Sequence, residues 1–446
     1  FVRLINVSLH AVTAFLVYRL ALSLTIDKIA AIFAGLLFAV HPIQSEAVDF
    51  YSARNTLLAT FFVVASYLVH QWSHTKKSLA GALAGASLFL CGLFSKELAV
   101  AILPFIAAIE CIKVQGENRN SLQKAFVRLL PYITCLVFYL ALRNNALSRA
   151  GASIDVLHGL AARLLDNVYI IPRYLLNVVW PQYLSCRYFL PDDFNMYSLS
   201  LVSAWISIVG LLWWFFTGGR SRATLFGLAW LIAFWLPMSG IFPIPSAQFA
   251  DRYLHTPAIG LWLIVADQFR LVVLSRAKMR RWGISAAALI LIALAVVTVR
   301  RNQIWRSDIT LFTNIVEMYP DQALGYDSLG CAYLDTENNI DIAEKMFERV
   351  LVLNPSFPRI RTQIGYVRLL RGDLRGALEH YNQAIYQNSQ DAEALLNRGV
   401  VLERLGRFPE AVDSYRRFLA TPGNELTEAR LVIPAKIAEL EKILNR

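Results

Sequence analysis

The sequence predicts an all-α protein in two parts: a polytopic helical membrane domain over residues 1–300, then an α-solenoid that occupies most of 301–446. Three observations predict it. Hydrophobic residues make up 56% of the 446 and charged residues only 17%, against roughly half and a quarter in a globular protein. The long apolar runs stop at residue 300. Beyond that point, small and aromatic residues recur at a spacing of 34.

A helix needs about 20 mostly apolar residues to cross the hydrocarbon of a bilayer. Ten stretches meet or approach that length, near 4–24, 28–41, 55–72, 78–94, 97–113, 124–142, 199–216, 223–240, 254–271 and 283–299. A further stretch, 157–184, is as long but carries Arg163, Asp166, Pro172 and Arg173. Cytoplasmic loops hold the excess of Lys and Arg. Alternate short connections carry Lys76 and Lys77; Lys113, Arg119 and Lys124; Arg220 and Arg222; and Arg270, Arg276, Lys278, Arg280 and Arg281. Keeping the second and third of these on one face requires an even number of crossings between them. Residues 157–184 are therefore expected to lie on the outer surface as an interfacial or re-entrant helix. The same loops account for the net charge of +11. No aromatic-interleaved basic patch points to nucleic acid.

In the tail, Gly365 and Gly399, Ala377 and Ala411, and Tyr381 and Tyr415 are each 34 apart, and Ala343 and Phe347 stand 34 before Ala377 and Tyr381. Gly330 precedes Gly365 by 35, one extra residue in a turn. Small residues at a helix crossing and an aromatic on the second helix are what tetratricopeptide repeats need to pack closely. Three units are predicted over 323–424, with a connecting helix over 301–322 and a capping helix over 425–446. With the tenth span running outward, the array is expected outside the cytoplasm, on the periplasmic or lumenal side of a bacterial inner membrane or endoplasmic reticulum. Such arrays bind peptides or proteins in a concave groove. The alternative is a packing appendage.

The five cysteines (Cys91, Cys111, Cys135, Cys186, Cys331) show neither metal nor disulfide spacing. The chain opens without Met or a signal-peptide pattern, so it is expected to begin partway through a longer protein. Aromatics such as Trp180, Trp213, Trp214 and Trp305 fit an interfacial belt.

Four segments, HPIQSEAVDFYSARNTLLAT, LFLCGLFSKELAVAILP, FADRYLHTPAIGLWL and RRNQIWRSDITLF, precede the repeats. Together they resemble the membrane proteins with C-terminal tetratricopeptide repeats that include the eukaryotic O-mannosyltransferases acting on cadherins, and their bacterial relatives. The resemblance covers nearly the whole chain. It implies a GT-C-like glycosyltransferase that takes a sugar, such as mannose, from a polyprenyl-phosphate carrier and gives it to an extracytoplasmic protein or glycan held by the repeats. It also implies a catalytic acid in the first external loop. On this resemblance the chain is expected to begin at the second span, and no residue here is expected to inherit that role.

Inverting transfer needs a carboxylate to take the acceptor's proton and cations to hold the departing phosphate. On the orientation above, the polar residues at the exoplasmic face are the candidates. Glu46 and Asp49, three apart on one helix face, are the carboxylates within reach, and Arg54 heads the next span. Arg252, Arg54 and Lys96 are the cations for a donor phosphate, Arg252 foremost because its fork can hold two oxygens. His41, Glu97, Asp251 and Tyr253 complete the candidate cavity. Plainer readings stand beside these: a hydrated loop with a local ion pair for 46–54, a helix-end role for His41, and a salt bridge for Lys96 and Glu97. Asp192 and Asp193 could hold a divalent ion beside a lipid phosphate, but LPDDFN also reads as a turn, and no cofactor or metal is indicated. Two other functions compete: a membrane scaffold whose repeats recruit partners, and a transporter, disfavoured because no span centre carries paired charges.

Overall fold

The computed structural model describes residues 2–24, 26–114, 119–150, 160–189, 202–203, 205–210, 213, 221–241, 249–422 and 426–445. Every regular element among them is helical. They divide into two compact units, Phe1–Trp305 and Arg306–Arg446.

The first unit comprises α1 (Val2–Ser23), α2 (Lys28–Val40), the short α3 (Ser45–Asp49), α4 (Arg54–Lys76), α5 (Leu79–Ser95), α6 (Ile102–Val114), α7 (Arg119–Ala150), α8 (Leu160–Val179), α9 (Arg222–Trp235), α10 (Pro257–Phe269) and α11 (Ala277–Ile304). Polar caps fix several starts: Asp27 accepts from Ile29 N at 2.8 Å, and the Ser78 and Ser221 hydroxyls accept from Gly81 and Thr224 N. Lys77 ends α4 in the left-handed region, with φ 48°.

Among the described residues, five helices are long and apolar enough to cross a membrane: Arg3–Ser23, Tyr51–Lys76, Ala125–Ala146, Pro257–Leu274 and Ala277–Ile304. A sixth arises if Lys28–Val40 and Pro42–Asp49, bent by 49°, form one broken span. This is an integral membrane protein. Of the ten expected stretches, 78–94 and 223–240 become shorter apolar helices, and 97–113 is divided between a 3-10 turn (Glu97–Ala101) and the 13-residue α6. The 199–216 stretch and the loop carrying Arg220 lie largely outside the described residues, as do Asp192, Asp193 and Trp214. The charged α8 is not among the helices long and apolar enough to cross. Trp180 and Trp213 are exposed, whereas Trp305 is buried against Phe50, ring centroids 6.0 Å apart, and so leaves the expected belt.

Lipid tails give apolar side chains no reason to prefer a neighbouring helix, so close packing and interhelical hydrogen bonds hold such a bundle. Both are present. A methyl on Gly260 would stand 2.2 Å from the Gly227 carbonyl, so α9 and α10 cross nearly backbone to backbone. The Thr60 and Thr256 hydroxyls meet at 2.6 Å, Ser66 donates to the Gly85 carbonyl at 2.8 Å, and Trp230 donates to Thr256 O at 3.0 Å.

The second unit opens with α12 (Asp308–Met318), whose start is closed by a Ser307–Thr310 capping box. Three hairpins follow: α13 (Ala323–Glu337) with α14 (Ile340–Leu353), α15 (Ile360–Leu370) with α16 (Leu374–Gln387), and α17 (Ala392–Arg404) with α18 (Phe408–Ala420). The last helix is α19 (Thr427–Leu444). The periodic residues make the crossings. A Cβ on Gly330, Gly365 or Gly399 would lie 2.6, 2.7 or 2.4 Å from the rings of Phe347, Tyr381 and Tyr415. Only glycine lets each aromatic lie against the first helix.

Candidate functional site

The site is built on the strap between α2 and α4. Pro42 supplies no N–H to continue α2, and His41 adopts an extended conformation as it leaves Val40. The His41 ring then holds the turn. Its Nδ1 accepts from Ile43 N at 3.2 Å, which leaves Nε2 to carry the proton and donate to the Val178 carbonyl at 3.0 Å. His41 thus caps the turn and ties α8 to the strap.

The strap's short helix carries Glu46 inward, to 1% exposure. One carboxylate oxygen accepts from the Arg252 backbone N at 2.9 Å, and the other pairs with the Arg252 guanidinium. The guanidinium also stands over the rings of Phe50, at 5.7 Å, and Tyr253, at 5.1 Å. Arg252 and Tyr253 belong to a 3-10 turn, Asp251–Leu254, that leads into α10. Lys96, at the end of α5, reaches the same place: its Nζ donates to Thr56 Oγ1 at 2.8 Å and lies 5.5 Å from the Tyr253 ring centroid. Burial, and secondarily the nearby Arg252 charge, lower its pKa to about 8.

Asp251 faces the other way. Its carboxylate accepts from the Tyr188 hydroxyl at 2.8 and 2.9 Å and from Asn177 at 3.2 Å, while Tyr174 donates to the neighbouring Ala250 carbonyl at 2.9 Å. Burial pushes Asp251 up to about 7, the Glu46 charge adds to the rise, and Arg301 opposes it. The folded protein therefore retains, between pH 3.8 and about 7, a proton that the unfolded chain has lost. Stability falls as pH rises through that window and levels off above it. Asp251→Asn is expected to flatten that fall, which thermal unfolding of both proteins at pH 5 and pH 7.5 would measure; an equally steep fall in the variant would refute the assignment.

Glu46, Arg252, Tyr253 and Lys96 thus meet, with Asp251 next in the same turn as Arg252. Others diverge. Asp49 does not join Glu46 on Arg252: with the Asn302 amide turned to satisfy both its neighbours, Asn302 donates to Asp49 Oδ2 at 2.9 Å. A five-residue helix is too short for spacing to decide where its last carboxylate points. Arg54 pairs with neither acid; its Nε donates to Asn6 Oδ1 at 3.0 Å, and Asn6 holds the Val48 carbonyl at 3.0 Å. Glu97 turns outward and pairs with Arg143 at 3.1 Å rather than with Lys96.

Residues that sequence reasoning missed complete the site. Besides Asn177 and Tyr188, these are Gln44, whose side chain meets His255 at 2.5 Å, and above all Arg301. Arg301 is buried at the end of α11, where its charge acts on Glu46, Asp49 and Asp251. A signal for it existed, because arginines at the outer end of the last span run against the usual charge bias. The layer sets Arg54, Lys96, Arg252 and Arg301 against Glu46, Asp49 and Asp251, so cations outnumber anions and an anionic ligand would be favoured. Among the described residues, no group of three His, Cys, Asp or Glu side chains is placed to hold a metal ion.

Residues 328–392 and 362–425 match the tetratricopeptide repeat family model. The chain is 22% identical over 453 residues to the human protein O-mannosyl-transferase TMTC3, covering 92% of this chain and 45% of that protein. It is 24% identical over 438 residues to the Drosophila melanogaster protein O-mannosyl-transferase Tmtc3, covering 86% and 44%. The chain spans about half the length of these relatives. Among solved structures, the crystal structure of MamA shares 17% identity over 31% of this chain and 88% of its own, at a TM-score of 0.25.

Proposed function

From the family-level match to polytopic membrane proteins with C-terminal tetratricopeptide repeats and several membrane-spanning helices, we propose that this chain is the donor-binding and acceptor-presenting part of a membrane glycosyltransferase. It takes a sugar such as mannose from a polyprenyl-phosphate carrier and passes it to a protein or glycan outside the cytoplasm, where the repeats hold the acceptor. The observation that carries this is the cationic layer around the strap. Arg252 and Lys96 stand at the Tyr253 ring, and the Arg301 charge acts on Glu46 and Asp251 beside it. In this reading the donor's phosphate takes part of the Arg252 fork now given to Glu46, and Lys96, still largely protonated at neutral pH, adds a second cation. Glu46 is then a holder of Arg252, freed only as the phosphate arrives.

The closed Glu46–Arg252 pair also favours a second reading, a scaffold in which the strap is structural and the repeats recruit partners. One experiment separates the two. The full-length protein is titrated with polyprenyl-phosphate mannose, alongside the paired variant Glu46→Gln/Arg252→Met, which leaves no unbalanced charge. The pair is expected to bind the donor roughly ten- to a hundredfold more weakly, and Glu97→Ala/Arg143→Ala, an exposed pair in the same unit, to bind it unchanged. Equal binding by the folded strap variant, or none by the wild type, sinks the glycosyltransferase reading.

A further inference from the structure

A second polar layer lies about 30 Å from the strap, some twenty residues farther along α4 at 1.5 Å each. Here α1 and α4, which run side by side, enclose a cavity of about 780 Å3 that includes none of the strap residues. Phe15, Leu16 and Leu68 form its apolar part together with Trp72, and Phe15 and Trp72 are each 54% exposed. Toward the helix ends the lining is mostly polar, with Arg19, Ser23, Gln71, His74 and Thr75 beside Leu22. No Asp or Glu lines it among the described residues. The buried Glu110 lies 3.8 Å from His74 Nε2 and is engaged by Arg128 at 2.8 Å. Arg19 has no ion-pair partner among the described residues. Lys76 and Lys77 follow within a few residues of His74.

We propose that this cavity is a binding site for an anionic phospholipid of the leaflet facing Lys76 and Lys77, with an acyl chain against Phe15, Leu16 and Leu68 and the headgroup phosphate on Arg19. Charge decides for an anion, because the lining brings the Arg19 guanidinium and no carboxylate of its own. Position decides for a lipid. The cavity opens between the final turns of two membrane-crossing helices, where headgroup and acyl chain meet, and its polar and apolar ends are arranged in that order. Arg19 can bury its stem against the apolar wall while its fork meets the phosphate. The inference does not rest on the proposed glycosyltransferase activity, since the layer lies at the far ends of α1 and α4.

Trp72 provides the readout. The full-length protein is reconstituted in vesicles containing brominated phosphatidylglycerol or brominated phosphatidylcholine, and the Trp72 component is taken as the difference between wild type and Trp72→Phe. Phosphatidylglycerol is expected to quench that component at roughly fivefold lower mole fraction than phosphatidylcholine, the preference one well-placed cation gives. Arg19→Gln should abolish the preference, whereas Lys76→Gln should keep most of it. Equal quenching by the two lipids overturns the proposal. So does a preference that survives Arg19→Gln, or one lost as fully in Lys76→Gln, because then the surface and not the cavity selects. Absence of quenching by either lipid would mean that another protein segment fills the groove, which also overturns it.

Discussion

Replacing Glu46 with alanine is expected to destabilise the membrane unit by about 3–5 kcal/mol, the range for removing one partner of a buried ion pair. Glu46 is 1% exposed and the Arg252 side chain 15%. Without the carboxylate, the guanidinium is left among Phe50, Tyr253, Lys96 and Arg301, two of which are cations. The Arg252 backbone N also loses its acceptor. The size of the loss measures an orphaned charge more than the worth of the pair. The double variant Glu46→Ala/Arg252→Met should therefore recover most of it. Thermal unfolding of wild type, both single variants and the double variant in one detergent gives the coupling energy. A Glu46→Ala protein as stable as wild type would show that the pair is not closed in solution, and the account of the strap would fail with it.

The second large effect is expected at Gly260. A methyl there would stand 2.2 Å from the Gly227 carbonyl and 2.7 Å from Leu231 N, and these are backbone atoms that cannot swing aside. A leucine must push α9 and α10 apart. That separation would also break the Trp230–Thr256 hydrogen bond and disturb the Thr60–Thr256 contact beside the candidate site. Gly260→Leu should cost more than about 3 kcal/mol, and Gly260→Ala a smaller part of that. Gly210→Ala provides the control, because a methyl there meets nothing within 4 Å. Yield of monodisperse protein and its melting temperature read the result; a Gly260→Leu protein that melts with the wild type would contradict the close crossing.

The sequence by itself determined the two-part, all-α plan, because the physics behind it is local. Twenty apolar residues have few other places to go, and the recurrence of Gly330, Gly365 and Gly399 with Phe347, Tyr381 and Tyr415 is a packing rule written at a fixed interval. The polar segments that form the candidate site were likewise visible, since charge in an apolar chain stands out. Only the tertiary structure decided which charge meets which. Glu46 and Arg252 are 206 positions apart, Asp251 takes its hydrogen bonds from Tyr188 and Asn177, and Asp49 and Arg54, close in sequence to Glu46, turn to Asn302 and Asn6. Spacing fixes a helix face, but the five-residue helix at the strap has almost no face to fix. The pairing is set by where α8, α10 and α11 bring their ends. Those ends are placed by contacts such as Gly227 on Gly260 and Thr60 on Thr256, which no periodicity announces.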